Sequence, residues 1–267
     1  MSSYSKRGIK GQFNRAFREF GKTILDSLFG TAPKTASTAR AARHPMAATL
    51  RCPACDAQVH LTEEPASFIC AHCSAHIASP FAYLFVDSET TGLPHNGVQP
   101  HLVQLGWALY NALGEPLKEH CHIVRPQGWI IPAEAAAIHG ISTAEALEKG
   151  EPRAEVLAGL AYDLARPYIR LVAHNLSFDR GVIAAEFRRE GIPHNLFDLP
   201  SCCTMRSTTS LCRLPGYYGG YKWPKLKELH AFIFGREFSG AHNALEDVRA
   251  TARCFFALYA QGLILGS

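Results

Sequence analysis

The sequence predicts a layered α/β domain from residue 80 onwards, preceded by a small cysteine-bearing module and a basic N-terminal arm. Apolar runs typical of strands come first and are followed by alternating helical and strand patterns, an order typical of α/β domains. Two C-x-x-C pairs lie upstream of these runs, and most of the positive charge lies further upstream. We therefore expect three segments with bounds at 1–47, 48–79 and 80–267.

The composition is that of a globular protein. The 267 residues are 47% hydrophobic and 19% charged. No apolar run approaches the ~20 residues that cross a bilayer, and the N-terminus lacks the pattern of a secretory signal. Four of the nine cysteines form the two C-x-x-C pairs, which favours metal in a reducing compartment over a disulfide scaffold. We expect a cytoplasmic protein without a transmembrane segment.

The N-terminal arm is the basic part of the chain. Residues 1–51 carry ten Lys and Arg against two acids, a net charge of +8, whereas the remainder carries −4. Apolar residues recur at nearly helical spacing over 12–29, and 31–48 is rich in Ala, Thr, Ser and Pro. We predict an amphipathic helix and a flexible linker. Such a helix can bind a protein, phosphates or an anionic membrane, or cover an apolar patch of its own chain or of a homodimer mate.

The two cysteine pairs predict a structural zinc site within 48–79. Each pair can hold one ion from a tight turn, and the two pairs together supply a tetrahedral set of four thiolates: Cys52, Cys55, Cys70 and Cys73. The fourteen residues between the pairs suit a short hairpin of a zinc ribbon. So small a module depends on its Zn²⁺ to fold. Zinc ribbons present surfaces to nucleic acid or to protein, and both partners stay open.

The elements of the α/β domain follow from the apolar patterns. Three strands that suit an antiparallel meander are expected at Phe81–Val86, Leu102–Tyr110 and Glu119–Val124. A short buried strand is expected at Leu171–Ala173. Helical patterns cover Pro132–Ile138, Thr143–Lys149, Arg153–Tyr168, Gly181–Arg189 and Val248–Tyr259.

Four carboxylates and one histidine stand at the ends of these elements. Asp87 and Glu89 follow the first strand and share a face, because residues i and i+2 of a strand point the same way. Asp179 and Asp247 lie near the starts of helices, and His242 precedes Asp247 by five residues. Hard oxygen ligands of this kind suit two Mg²⁺ or Mn²⁺ ions, which support attack of water on a phosphodiester. A nearby histidine is the natural general base.

These segments resemble the three motifs of the DEDDh 3′–5′ exonucleases, the group that includes proofreading subunits, ribonuclease T and TREX enzymes. The matching segments are Asp87-Ser-Glu89-Thr-Thr-Gly, His174-Asn-Leu-Ser-Phe-Asp179 and His242-Asn-Ala-Leu-Glu-Asp247. The resemblance implies a ribonuclease H-like fold with a mixed five-stranded sheet flanked by helices. It also implies two-metal hydrolysis, with Asp87, Glu89, Asp179 and Asp247 as metal ligands and His242 as the base.

The resemblance also implies contacts to substrate. Thr90 and Leu93 match residues that hold the terminal nucleotide, and Thr91 and Gly92 lie between them. Further matching or supporting positions are Gln104, His139, Asn175 and Phe178.

A loop rich in Tyr, Gly and Lys lies between the second and third motifs. Tyr221 and Lys222 in this loop suit stacked bases and phosphates, and the alternative for its Trp223 is ordinary packing onto the domain. Similar loops occur in bacterial members of the family, which indicates a bacterial or phage source.

The expected function is metal-dependent 3′–5′ exonuclease activity on single-stranded ends, releasing nucleoside 5′-monophosphates. DNA is favoured as the substrate, and the expected setting is repair, nucleic-acid processing or defence. An alternative enzyme is an exoribonuclease that trims RNA 3′ ends, since few contacts read the 2′-hydroxyl. An alternative of another class is a zinc-ribbon adaptor that binds nucleic acid through an inactive nuclease-like domain.

Overall fold

The computed structural model describes residues 48–61, 67–217 and 219–264. The helix and linker predicted within 1–47 lie outside these residues. Within the described ranges, no helix has the length and apolar character needed to span a membrane.

Two small hairpins form the cysteine-bearing module. β1 (Ala48–Arg51) pairs antiparallel with β2 (Gln58–Leu61), and β3 (Ser67–Ile69) pairs antiparallel with β4 (His76–Ala78). Each C-x-x-C pair occupies the turn of one hairpin. The expectation of a single hairpin between the two cysteine pairs was wrong, because β2 and β3 pair with β1 and β4 and not with each other.

A mixed five-stranded sheet carries the rest of the fold, in the order β7-β6-β5-β8-β9. The antiparallel meander consists of β5 (Ala82–Thr90), β6 (Leu102–Asn111) and β7 (Pro116–Ile123). On the other side of β5, β8 (Ile169–Ala173) and then β9 (Ser201–Cys203) run parallel to it. The predicted fold class, a mixed five-stranded sheet flanked by helices, is confirmed.

Helices cover both faces of this sheet. In chain order they are α1 (Ala133–His139), α2 (Thr143–Lys149), α3 (Arg153–Leu164), α4 (Leu176–Glu190), α5 (Thr204–Ser207), α6 (Thr209–Cys212), α7 (Leu226–Phe234) and α8 (Ala244–Tyr259). α3 and α4 pack with Leu84 and Val86 of β5 on one face, and α7 and α8 pack with Tyr83 and Phe85 on the other. The central strand is therefore apolar throughout its first half, because both of its faces are buried.

Three helix bounds differ from the prediction for local reasons. α3 ends at Leu164 and not at Tyr168, because Pro167 disfavours helical backbone before it and Tyr168 has φ 56°. α4 and α8 each begin several residues earlier than expected. α8 begins early because the Asn243 side chain accepts hydrogen bonds from the N–H groups of Leu245 and Glu246. These earlier starts place the second and third carboxylate segments in first helical turns.

Candidate active site

The first motif lies at the end of β5, the strand between the two layers of helices. Asp87 pairs in register with Gly106, and Glu89 pairs with Gln104, so these residues share one face of the sheet. Ser88, between the two carboxylates, is buried on the opposite face. β5 continues beyond both carboxylates and ends at Thr90.

The second motif brings Asp179 to this strand end from α4. Asp179 lies in the first turn of the helix and is buried. Its Oδ1 accepts a hydrogen bond of 2.8 Å from Ser88 Oγ. Asn175, at the helix N-cap, adopts left-handed backbone with φ 73°, which turns the chain sharply from β8 into α4. Carboxylates thus reach the end of β5 from both faces of the sheet.

The third motif adds Asp247 and His242. Asp247 lies in the first turn of α8, and its Oδ2 accepts a 2.9 Å hydrogen bond from the backbone N of His242. His242 has φ 70°, so left-handed backbone folds it back over this helix start. Potential metal-binding atoms of Glu89, His242 and Asp247 all lie within 4.8 Å of one another.

Two residues of β6 allow α8 to approach this closely. A Cβ on Gly106 would lie 2.6 Å from the backbone carbon of Ala244, so only glycine fits under the helix start. Gln104 is buried, and its Oε1 accepts a 2.9 Å hydrogen bond from Ala244 N, one of the amides left unpaired at a helix start. Gln104 was expected on the substrate side, and in the structure it supports the helix that carries Asp247.

The electrostatics of the site favour a bound cation. Burial and then the charges of Asp179, Asp247 and Glu89 raise the pKa of Asp87 well above its usual range. Burial and the charge of Asp247 raise the pKa of Glu89 to about 7. Burial also raises the pKa of Asp179 and of Asp247, although a hydrogen bond opposes the shift in each. Buried carboxylates that repel one another are the donor set that a hard divalent cation requires, so these residues fit Mg²⁺ or Mn²⁺.

The segment after the first motif leaves the sheet beside the carboxylates. The Thr90 hydroxyl donates to Gly92 O at 2.7 Å, and Thr91 exchanges hydrogen bonds with His101. Gly92 has φ 149°, and Leu93 is 80% exposed. An apolar side chain held this far into solvent beside the carboxylates is available to contact a terminal nucleotide.

His139 and Phe178 flank the site from α1 and α4. His139 Nδ1 accepts a hydrogen bond from Ile141 N, which leaves Nε2 to carry the proton. Burial lowers the pKa of His139, the nearby backbone of Thr90 opposes this shift, and the charge of His242 adds to it. Phe178 packs against the core on the α4 side. Of the two, His139 lies beside the carboxylate segments and Phe178 supports them from the core.

His174, Lys222 and Lys227 have contacts that the sequence did not reveal. The half-buried His174 ring lies between Thr204 Oγ1 at 3.0 Å and Pro224 O at 2.9 Å, and desolvation lowers its pKa to about 4. Lys222 contacts both carboxylate oxygens of Glu228, on α7, at 2.6 Å. The positive charge of Lys227 lowers the pKa of Asp247. The sequence could have indicated a role for His174, because it is the first residue of the second motif. It could not have indicated the Lys222 contact, because its partner Glu228 belongs to the following helix.

The four cysteines of the two hairpins converge. Their Sγ atoms lie within 4.8 Å of one another, with Cys52–Cys73 at 3.7 Å and Cys55–Cys70 at 3.8 Å. A disulfide would bring two sulfurs to ~2.0 Å. Thiolates at ~2.3 Å from a tetrahedral Zn²⁺ are ~3.8 Å apart, so the observed spacing fits zinc.

The two cysteine turns also have the same backbone. In each turn the residue after the second cysteine has positive φ (58° at Asp56, 59° at Ser74), and its N–H donates to the carbonyl of the first cysteine at 2.8 Å. The cluster is therefore built from two equivalent halves.

The site combines carboxylates from three segments at the end of β5 with the neighbouring His242. On a ribonuclease H-like sheet, this arrangement is typical of a nuclease centre. Comparison with known proteins agrees with this class. Residues 84–255 match the RNase T exonuclease family. The chain is also 30% identical over 185 residues to the uncharacterized exonuclease CP81 of Escherichia phage 186, an alignment that covers 66% of this chain and 87% of the phage protein.

Solved structures share the fold. E. coli exonuclease I in complex with a dA16 oligonucleotide superposes with a TM-score of 0.59 at 22% identity, over 68% of this chain and 42% of that one. The apo form of exonuclease I gives 0.58 at 20% identity, over 68% and 43%. The chain thus spans about two fifths of the length of these exonuclease I structures.

The chain belongs to the DEDDh 3′–5′ exonuclease family, and the predicted resemblance is confirmed. It is an exonuclease-type hydrolase, and membership of the family implies dependence on divalent metal.

Proposed function

We propose that this chain hydrolyses phosphodiester bonds at the 3′ ends of single-stranded nucleic acid, DNA in preference to RNA, and releases nucleoside 5′-monophosphates. The observation that carries the proposal is that Glu89, His242 and Asp247 offer ligand atoms within 4.8 Å of one another, while burial and the charges of Asp179, Asp247 and Glu89 raise the pKa of the adjacent Asp87. A domain that only binds nucleic acid has no use for this set, because the repulsion destabilises the fold without a cation.

The four carboxylates would hold two Mg²⁺ or Mn²⁺ ions in this proposal. When bound, the ions supply activation of water and stabilisation of charge on the leaving oxygen. His242 accepts the proton that water loses as its oxygen bonds to phosphorus and the P–O3′ bond breaks. The leaving 3′ oxygen takes a proton from solvent. His242 can serve because its backbone is fixed to Asp247 while its side chain faces Glu89.

The preference for DNA is drawn from the structural relatives. One exonuclease I structure of this fold contains a dA16 oligonucleotide and another a dT13 oligonucleotide. Exonuclease I has also been solved with SSB, so an origin in bacterial or phage DNA metabolism agrees with these relatives and with the phage protein.

The test is digestion of matched 5′-labelled DNA and RNA oligonucleotides by the full chain, with Mg²⁺ or Mn²⁺. We expect shortening from the 3′ end, faster for DNA, and loss of both activities in Asp87→Ala. His242→Ala should lower kcat by about 10²–10⁴-fold, the usual contribution of a general base. An Asp87→Ala protein as fast as the wild type would overturn the catalytic assignment, and faster digestion of RNA would favour the exoribonuclease.

We further propose that 48–79 form a zinc ribbon with one structural Zn²⁺ held by the four cysteines, separate from the exonuclease domain at 80–267. The sulfur spacing and the two equivalent turns support this. A closed set of four thiolates leaves no position for substrate, so the role of this zinc is to hold the module folded.

A further inference from the structure

A short hairpin, described at residues 214–217 and 219–222, lies between α6 and α7. Lys222 N donates to Leu214 O at 2.9 Å, and Gly216 N donates to Gly220 O at 3.1 Å. These cross-strand bonds give the segment a defined shape, although a sequence so rich in glycine resembles an open loop.

The aromatic side chains of this segment face solvent. Tyr217 is fully exposed, Tyr221 is 52% exposed, and Trp223, which directly follows the hairpin, is 59% exposed. The alternative that Trp223 packs onto the domain does not account for this exposure. Three exposed large aromatic side chains within seven residues of sequence mark a binding site more often than an isolated one does.

The base of the hairpin is fixed to the active site. Pro224 O contacts the half-buried His174 ring at 2.9 Å, and His174 directly precedes Asn175, the N-cap of the helix that carries Asp179. Lys227, three residues after Pro224, acts by its charge on Asp247. The residue that follows Trp223 is therefore bonded to the second carboxylate segment, and Lys227 lies near enough to the third for its charge to lower the pKa of Asp247.

Of the basic residues around the hairpin, one anchors it to the domain and two are exposed to solvent. Lys222 contacts both Glu228 oxygens at 2.6 Å, so it anchors the hairpin to α7. Arg206 lies over the Trp223 ring, 5.8 Å from its centroid, and is exposed. Lys225 is exposed as well. A stacked cation and ring beside an exposed lysine match the flat bases and phosphates of a single strand.

We propose that Tyr217, Tyr221 and Trp223 form a stacking surface for the bases that lie upstream of the 3′-terminal nucleotide. This inference rests on the proposed function and adds a substrate requirement to it. Oligonucleotides long enough to reach the surface bind more tightly than those that fill only the carboxylate site. Base stacking tolerates every sequence, so the surface imparts a preference for length and single-strandedness and not for sequence.

The experiment compares KM for a trinucleotide, dT3, with KM for dT12. We expect a ratio of tenfold or more in the wild type, falling towards one in Tyr217→Ala and Trp223→Leu, with kcat for dT3 changed less than KM for dT12. Trp223→Phe keeps a ring and should recover most of the ratio. Tyr217 is fully exposed, so its variant tests the surface without disturbing the core. Tyr162→Ala, an exposed tyrosine on α3, is the matched control and should behave as wild type.

A second readout separates this inference from the proposed function. Fluorescence anisotropy of 5′-labelled dT12 with Asp87→Ala protein measures binding without hydrolysis, and adding Trp223→Leu should weaken it at least tenfold. If the wild type hydrolyses neither oligonucleotide, the proposed function fails, while the anisotropy still tests the surface. An unchanged KM ratio together with unchanged anisotropy in the hairpin variants would overturn the inference. It would also be overturned if the hairpin bound a peptide and these two quantities stayed unchanged.

Discussion

Without divalent metal, the carboxylate cluster should make the protein less stable as pH rises, and Glu89→Gln should remove a measurable part of this loss. Burial and the charge of Asp247 raise the pKa of Glu89 from 4.5 to about 7. A carboxyl whose pKa is higher in the folded than in the unfolded state stabilises the fold fully below pH ~4.5, and this stabilisation is lost as pH rises through ~7. The loss therefore falls between about pH 5 and pH 8.

The magnitude follows from the pKa values. At 1.36 kcal/mol per pKa unit, ionising Glu89 in the folded protein costs about 3 kcal/mol more than in the unfolded chain, or about 2–3 kcal/mol after allowing for partial exposure. For a domain of this size, 1 kcal/mol shifts Tm by about 2–4 °C. Glu89→Gln should thus melt about 4–12 °C above the wild type at pH 8 without divalent metal, and close to it at pH 5.

The assay is differential scanning fluorimetry from pH 5 to 8, with and without Mg²⁺. Buffers should be freed of metal with a chelating resin, because EDTA would also strip the cysteine cluster, and zinc content should be checked throughout. Mg²⁺ should raise Tm of the wild type at pH 8 and that of Glu89→Gln much less. Glu148→Gln, at an exposed position on α2, is the control and should keep the wild-type slope. Equal pH slopes in the wild type and Glu89→Gln would refute the reasoning.

Three further substitutions test the packing beneath the carboxylate site and the metal content of the cysteine cluster. Gly106→Ala should destabilise by about 1–3 kcal/mol and cost most of the activity, because its methyl group meets Ala244 at 2.6 Å; Gly159→Ala, with only ordinary contacts, is the control in thermal melts and activity assays. Gln104→Leu should cost about 1–2 kcal/mol in urea unfolding and lower kcat more than KM, since Ala244 N loses its acceptor; an unchanged kcat would contradict that role. Cys52→Ser should lose zinc in elemental analysis, where the wild type holds one ion per chain, and zinc-free wild type would contradict the ribbon.

Much of the fold could be predicted because its signals are local. The i, i+2 spacing of Asp87 and Glu89 placed them on one face, and β5 confirms it. Apolar runs predicted the strands of the meander, but they do not determine which strands pair with one another. The starts of α4 and α8 were missed because their caps depend on Asn175 and Asn243, whose turn conformations do not follow from periodicity.

Parts of the site could not be predicted because they arise from pairing between distant segments. Ser88 lies between two motif carboxylates without a role of its own in the sequence, yet its hydroxyl donates to Asp179, ninety-one residues further along the chain. Lys222 read as a phosphate ligand, yet Glu228 neutralises it. A side chain's residue type states what it can contact, and only the fold decides which contact it makes.

The cysteine-bearing module and the carboxylate site lie at opposite ends of one strand, so their chemistry is independent. The cysteine-bearing module joins the start of β5 through 79–81, and Tyr168 Oη donates to Thr49 O at 3.1 Å beside that start. Asp87 lies five residues further along β5, about 17 Å at ~3.4 Å per residue. The cysteine cluster therefore cannot share a ligand with the carboxylate site. In the proposed zinc ribbon a closed thiolate shell leaves no position for substrate, so the module would act through what it binds or holds in place. The carboxylates would be the ligands that select hard cations.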